Sequence, residues 1–250
     1  MQFIDLKTQY QRIETEILNN IKTVLDHGQY IMGPEVYELE VKLADYVGVK
    51  HCISCSSGTD ALLMSLMALD IGPGDAVFTT PFTFIATAEV IKLLGATPIF
   101  VDIDKDTFNI SPEKLEKEIE SVIQNGKLIP KAIIPVDLFG LPANSIDIQK
   151  IAKSNGLRLI IDSAQGFGSS INGKITCGFG DMGTTSFFPA KPLGCYGDGG
   201  AIFTNDEDLY EKLVSIRIHG KGPDKYNNIR IGINGRLDTI QGTILITKLK

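Results

Sequence analysis

Five short apolar runs, at residues 51–55, 76–80, 97–101, 132–136 and 159–161, punctuate this chain, and helical stripes fill much of the space between them. Runs of that length, bounded by turn residues, read as buried strands; apolar residues three and four apart read as helices. Strands alternating with helices build βαβ units, so the pattern commits the chain to a mainly parallel sheet flanked by helices. In such sheets ligands gather at the carboxyl ends of the strands.

Two helices precede the alternation. Residues 8–27 carry Tyr10, Ile13, Ile17, Ile21, Val24 and Leu25 and end at Gly28; residues 34–47 carry Val36, Leu39, Val41, Leu43 and Val47 and close at Gly48. Ser111-Pro112-Glu113 opens a later helix with an N-cap followed by proline at its first position. Residues 237–250, with Ile240, Ile244, Leu245 and Leu249, read as a last helix that stops without a cap. With 250 residues, 43% of them hydrophobic, there is material for one large domain with a full core.

Several function classes drop out. A net charge of −6 gives no general footprint for nucleic acid. No apolar run approaches the roughly 20 residues that span a bilayer, and Met1–Asp5 lacks the basic and apolar regions of a leader, so a cytoplasmic setting is the expectation. Cys52 and Cys55 form a C-x-x-C within a strand-like run, where an odd spacing sends the side chains to opposite faces. With no second such pair, zinc is not expected, and all four cysteines read as reduced and mostly buried. Asp102, Asp104 and Asp106 alternate like the start of a calcium loop, but Phe108 and the missing Gly and Glu spoil the match. His27, His51 and His219 suggest neither a triad nor a metal site.

The most reactive candidate is Lys191. It sits between Pro189 and Pro192 on a rigid, non-helical turn, followed by Gly194, Gly197, Gly199 and Gly200. Phe187, Phe188, Leu193 and Tyr196 make that turn apolar. Apolar surroundings disfavour a charged lysine, and the neutral amine is a nucleophile that forms Schiff bases. Lys191 therefore reads as the residue that holds pyridoxal phosphate.

Other stretches carry two readings each. Ser56-Ser57-Gly58-Thr59 joins a strand to a helix N-terminus, either as a phosphate seat or as an ordinary capped helix. Asp162 ends a buried strand and needs a partner, either a pyridinium nitrogen or nearby backbone amides. Phe82, after Pro81 at another strand end, either stacks on a planar ring or packs in the core. Gly178–Gly183 matches G-x-G-x-x-G, but the following residues 184–188 read as a strand, whereas that fingerprint must open a helix.

Ordered along the chain, Gly33-Pro34-Glu35, Ser57-Gly58-Thr59-Asp60-Ala61-Leu62, Gly72-Pro73-Gly74-Asp75 and Pro81-Phe82-Thr83-Phe84-Ile85-Ala86-Thr87 belong to one pattern. So do Gly95-Ala96-Thr97-Pro98, Val101-Asp102, Asp162-Ser163-Ala164-Gln165, Ser186-Phe187-Phe188-Pro189-Ala190-Lys191 and Asn234-Gly235-Arg236-Leu237-Asp238. Together they resemble the sugar-nucleotide aminotransferases of the DegT–StrS family, within the fold-type I pyridoxal-phosphate enzymes. The run from Ser186 to Gly200 looks most like the branch that aminates the 3-keto group of UDP-linked N-acetylated hexuluronic acids.

The resemblance implies a three-layer α/β sandwich: a cofactor-binding large domain over residues 1–236, then residues 237–250 as the start of a helix leading to a small C-terminal domain. It implies that Lys191 carries the cofactor and shuttles a proton, Asp162 pairs with the ring nitrogen, Gln165 lies near the ring hydroxyl and Phe82 stacks on the ring. Gly58, Thr59 and Ser186 would hold the phosphate. Asn234 would reach the cofactor phosphate of a neighbouring subunit in a homodimer, and Arg236 would bind the sugar nucleotide. L-Glutamate would be the amino donor, the product serving surface polysaccharide synthesis. Members of the family usually run about a hundred residues further, so the chain reads either as a fragment or as a truncated gene product, with apolar surface expected to be bared on its last helix. The rival readings are a pyridoxal-phosphate enzyme of small amino acids and a non-catalytic dimerisation or regulatory paralogue.

Overall fold

The computed structural model describes residues 4–224 and 226–250. Residues 1–3 of the segment read above for a leader lie outside them.

The first helix, α1 (Leu6–His27), is capped by Asp5, whose side chain accepts from the Thr8 N–H, and it ends where Gly28 turns left-handed. α2 (Pro34–Val47) starts with proline at its first position and ends the same way at Gly48. The alternation then unfolds as β1 (His51–Cys55), α3 (Gly58–Ala68), β2 (Asp75–Thr79), α4 (Ala86–Leu93), β3 (Thr97–Phe100) and α5 (Pro112–Asn125). It continues with β4 (Ile129–Ile134), α6 (Ser145–Ser154), β5 (Arg158–Asp162), a two-stranded ribbon of β6 (Ser170–Ile171) and β7 (Lys174–Ile175), β8 (Met182–Ser186), β9 (Gly200–Thr204), α7 (Glu207–Arg217) and α8 (Thr239–Lys248).

The sheet has seven strands in the order β1-β9-β8-β5-β4-β2-β3. Pairs β2–β3, β2–β4, β4–β5 and β5–β8 are parallel; β9 alone runs against its two neighbours. The carboxyl ends of β1, β2, β4, β5 and β8 therefore share one edge of the sheet. β9 and α7 were not anticipated from the sequence, where the glycines before residue 200 masked the start of a strand. The run expected at residues 184–188 is β8, ending two residues earlier. Because a strand follows it, the G-x-G-x-x-G is not a nucleotide fingerprint.

Helices cover both faces. One core joins α3, α4 and α7 to Ile53, Val77, Ile160 and Ile202; two others join α5 with α6, and α2 with α8, to the opposite face. Cys55 lies in the first of these cores and Cys52 in the α2–α8 core, as their odd spacing requires, and all four cysteines are buried and free. Between the layers, Arg217 is only 3% exposed and pairs with Glu40 while donating to the Ser54 carbonyl at 3.0 Å. The bared apolar surface expected on the last helix is not found. Leu245 and Ile246 of α8 are buried in the α2–α8 core, and the helix packs on both α1 and α2. No helix among the described residues is long and apolar enough to cross a membrane, and none of their His, Cys, Asp and Glu side chains form a metal-binding group.

Candidate active site

Lys191 lies on the loop that joins the antiparallel pair β8–β9, with Ser186 opposite Gly200 at the loop's base. Pro189 fixes the second position of a turn in which the Lys191 N–H donates to the Phe188 carbonyl at 2.8 Å. The loop is stitched shut by Phe187 N–H to Gly199 (2.7 Å) and Cys195 N–H to Phe187 (2.8 Å). A Cβ at Gly194 would stand 2.4 Å from the Pro189 carbonyl oxygen, so only glycine allows this closure. From outside, α8 braces the loop: Gln241 Oε1 accepts the Tyr196 N–H at 2.9 Å, and Lys248 Nζ donates to the Gly194 carbonyl.

Lys191 and Asp162 line one cleft of about 410 Å³ at the carboxyl edge of the sheet. Burial lowers the Lys191 pKa, and the Asp162 carboxylate works against that shift. Burial raises the Asp162 pKa, opposed by the Thr87 hydroxyl, the Ala164 N–H and Lys191. Thr87 Oγ1 donates to Asp162 Oδ2 at 2.9 Å and Ala164 N–H to Oδ1 at 3.2 Å. Beneath them Asp137 is buried and its pKa is pushed up to about 6, although it accepts from Ser163 and from Ala143 N–H.

Ser57, in the same cleft lining, caps α3 by accepting the Asp60 N–H at 3.0 Å. The amides of Gly58 and Thr59 fall in the first turn of the helix, where no intrahelical acceptor exists. A Cβ at Gly58 would lie 2.6 Å from Ser186 Cβ, so the missing methyl is what lets the helix start abut β8. That contact brings two backbone donors and one hydroxyl to a single concave seat.

Gln165 also lines the cleft, its Oε1 accepting the Phe139 N–H at 2.8 Å, which leaves the amide nitrogen as its donor to a ligand. Phe82 follows β2 but sits apart from the cleft lining. Its ring packs instead with Phe108 and Phe139 at centroid distances of 5.8 and 6.2 Å. Phe84, two residues on, lines the cleft instead. Asn234 and Arg236 are not brought into this cleft. Asn234 is exposed, and Arg236 is half-buried with its Nε unpartnered among the described residues. The Gly235 between them accepts the Ser56 N–H at 3.1 Å, which ties this segment beside the α3 seat. Thr83 and Thr87, also in the cleft wall, were missed in the sequence, where a helical threonine carries no distinguishing mark.

The donor set fits pyridoxal phosphate. A buried carboxylate couples to a half-buried amine, and a seat of neutral donors beside a glycine that admits no Cβ lines the same cleft. Residues 11–250 match the DegT/DnrJ/EryC1/StrS aminotransferase family. The chain belongs to this family, whose aminotransferases use pyridoxal phosphate.

Among its relatives is the UDP-2-acetamido-2-deoxy-3-oxo-D-glucuronate aminotransferase of Pseudomonas aeruginosa, 52% identical over 250 residues, which are all of this chain and 67% of that protein. The UDP-N-acetyl-3-dehydro-alpha-D-glucosamine 3-aminotransferase of Acidithiobacillus ferrooxidans is 43% identical over 242 residues, 97% of this chain and 63% of that one. The chain thus spans about two thirds of the length of these relatives. A crystal structure of a family member from Brucella abortus superposes with a TM-score of 0.98 at 55% identity, covering all of this chain and 67% of the other. NtdA from Bacillus subtilis, with bound cofactor PMP, gives 0.90 at 34% identity over all of this chain and 55% of its own.

Proposed function

We propose that the chain is the cofactor-binding part of an aminotransferase that moves an amino group from L-glutamate to the keto group of a nucleotide sugar. The reading extends to the 3-keto group of a UDP-N-acetyl-hexuluronic acid, for surface polysaccharide synthesis, on the strength of the 52% identical relative. The observation that carries the chemistry is the convergence of Lys191 and Asp162 in one cleft that the Gly58–Ser186 seat also lines.

Bound there, pyridoxal phosphate supplies a carbonyl for exchanging amino groups and a ring that takes up electrons. The residues do the rest. Gly58 and Thr59 N–H groups and the Ser186 hydroxyl hold the phosphate dianion at the positive end of α3. The Asp162 carboxylate holds a proton on the ring nitrogen. Gln165 donates to the ring hydroxyl, and Phe84 offers the aromatic face that the sequence assigned to Phe82. Lys191 Nζ would anchor the cofactor and, once displaced, would carry a proton between the substrate carbon and the cofactor carbon, from donor to cofactor in the first half and from cofactor to sugar in the second; burial keeps this amine neutral more readily than a solvated one.

Asn234 and Arg236 act across a homodimer interface, Asn234 on the partner's cofactor phosphate and Arg236 on the sugar nucleotide. Residues 1–236 form the large domain, and 237–250 lead toward a further domain.

The test is the visible absorption of the protein with pyridoxal phosphate, followed through addition of L-glutamate and then of a UDP-linked 3-keto sugar acid. The reading requires a cofactor band that glutamate bleaches and the keto sugar restores. A band bleached by small amino acids and restored only by their 2-oxo acids would replace it with a small-amino-acid enzyme. No band would support the non-catalytic reading.

A further inference from the structure

Asp162 is 5% exposed, and among the described residues its carboxylate accepts two hydrogen bonds, from the Ala164 N–H and from the Thr87 hydroxyl. Thr87 belongs to the first turn of α4 and is 1% exposed. A helical threonine commonly turns its hydroxyl back to the carbonyl four residues earlier. Thr87 instead directs it across to the end of β5, 75 positions away in sequence.

A threonine hydroxyl has one proton, and an ionised carboxylate can only accept. The Thr87 proton is therefore committed to Asp162. Thr83 Oγ1 lies 3.1 Å from Thr87 Oγ1, so the second bond must run from Thr83 to Thr87. The direction of the chain is fixed: Thr83 to Thr87 to Asp162. Hydrogen bonds in series polarise one another, and those received by an ionised group favour its charged form.

We propose that Thr83 and Thr87 are positioning residues, a hydroxyl relay that orients Asp162 and holds it ionised for the ring nitrogen of the cofactor. The proposal rests on the cofactor reading above and adds two residues to it. Both line the same cleft as Lys191 and Asp162. The Thr87 hydroxyl is also the largest of the influences that oppose the effect of burial on Asp162. The other titratable groups that face or couple to this carboxylate are Lys191 on the β8–β9 loop, Asp137 after β4, and Cys177 in the turn before β8. None of their side chains donates to the Asp162 carboxylate among the described hydrogen bonds.

The test compares Thr87→Val, which keeps the shape and removes the hydroxyl, with Thr87→Ser, which restores it. In cofactor-free protein, the Asp162 carboxyl is titrated by infrared difference spectroscopy, its band assigned with Asp162→Asn. Thr87→Val should move that titration to higher pH, and Thr87→Ser should return it. In the loaded protein, pyridoxal phosphate should bind Thr87→Val about tenfold more weakly, the loss expected for one hydrogen bond to a charged group. An Asp162 titration unchanged in Thr87→Val overturns the proposal, as does a Thr87→Ser variant that behaves like valine. Should Thr87→Val fail to fold, Thr83→Val decides: an upward shift supports the relay and no shift overturns it. Wild-type protein that does not bind pyridoxal phosphate would refute the cofactor reading instead, and the apoprotein titration would still judge the relay.

Discussion

The ammonium of Lys248 donates to the carbonyl of Gly194 at 2.6 Å, and the same group lies 4.2 Å over the ring of Tyr196. One side chain of α8 thereby holds the loop that carries Lys191. Lys248→Met should remove a charged hydrogen bond and a cation–π contact, costing about 1–3 kcal/mol by chemical denaturation. Hydrogen exchange should quicken in residues 188–198 and not in β8. Lys248→Arg should recover part of the loss; exchange unchanged in Lys248→Met would mean that the loop holds itself.

On the proposed function, Gly58 and Ser186 set the cofactor seat. In an open helix alanine would be favoured over glycine by about 1 kcal/mol. Here a methyl at residue 58 would stand 2.6 Å from Ser186 Cβ, well inside contact distance. Gly58→Ala should push the start of α3 off β8 and weaken pyridoxal-phosphate binding by more than about tenfold, with apoprotein unfolding shifted by less than about 2 kcal/mol. Equal affinity in the variant, measured by titration of the visible band, would remove this pair from the seat.

Asp137 predicts a pH dependence of stability. Burial raises its folded-state pKa to about 6 from an ordinary value of 3.8. A folded state that binds the proton more tightly than the unfolded chain loses stability as pH rises, here between about 4 and about 6. Asp137→Asn cannot titrate, so the stability of wild type relative to this variant should fall by up to about 1.4 kcal/mol per pH unit across that window. Urea unfolding at several pH values measures it. A wild-type-to-variant difference that stays flat would mean that Asp137 is not raised.

Arg217 and Glu40 form a buried pair joining α7 to α2, with the Ser54 N–H also donating to Glu40 at 2.9 Å. Removing one partner strands the other charge away from water. Arg217→Met should cost about 3–5 kcal/mol in urea unfolding, while Arg217→Met with Glu40→Leu should recover much of that. A double variant no better than the single would show that packing, not charge, dominates here.

Much of this architecture was legible because local chemistry and global fold agree. Pro189 in the second position of a turn, Ser57 and Ser111 at helix starts, and Asp162 at the end of an apolar run each announce their own backbone. What stayed hidden depends on distant partners. The antiparallel entry of β9 is decided by its pairing with β1 and β8, not by its own residues. Phe82 and Phe84 lie in an irregular segment where no period says which ring faces the cleft. The role of Thr87 comes from a strand 75 positions away, and the apolar face of α8 looked bare until α1 and α2 covered it.

On the proposed function, Lys191 is the anchor of pyridoxal phosphate. This is tested most directly by reducing the loaded protein with borohydride and mapping the modified peptide by mass spectrometry. One cofactor per chain is expected, on Lys191, and none in Lys191→Ala. A cofactor fixed to a different lysine, or none fixed in wild type, would contradict it.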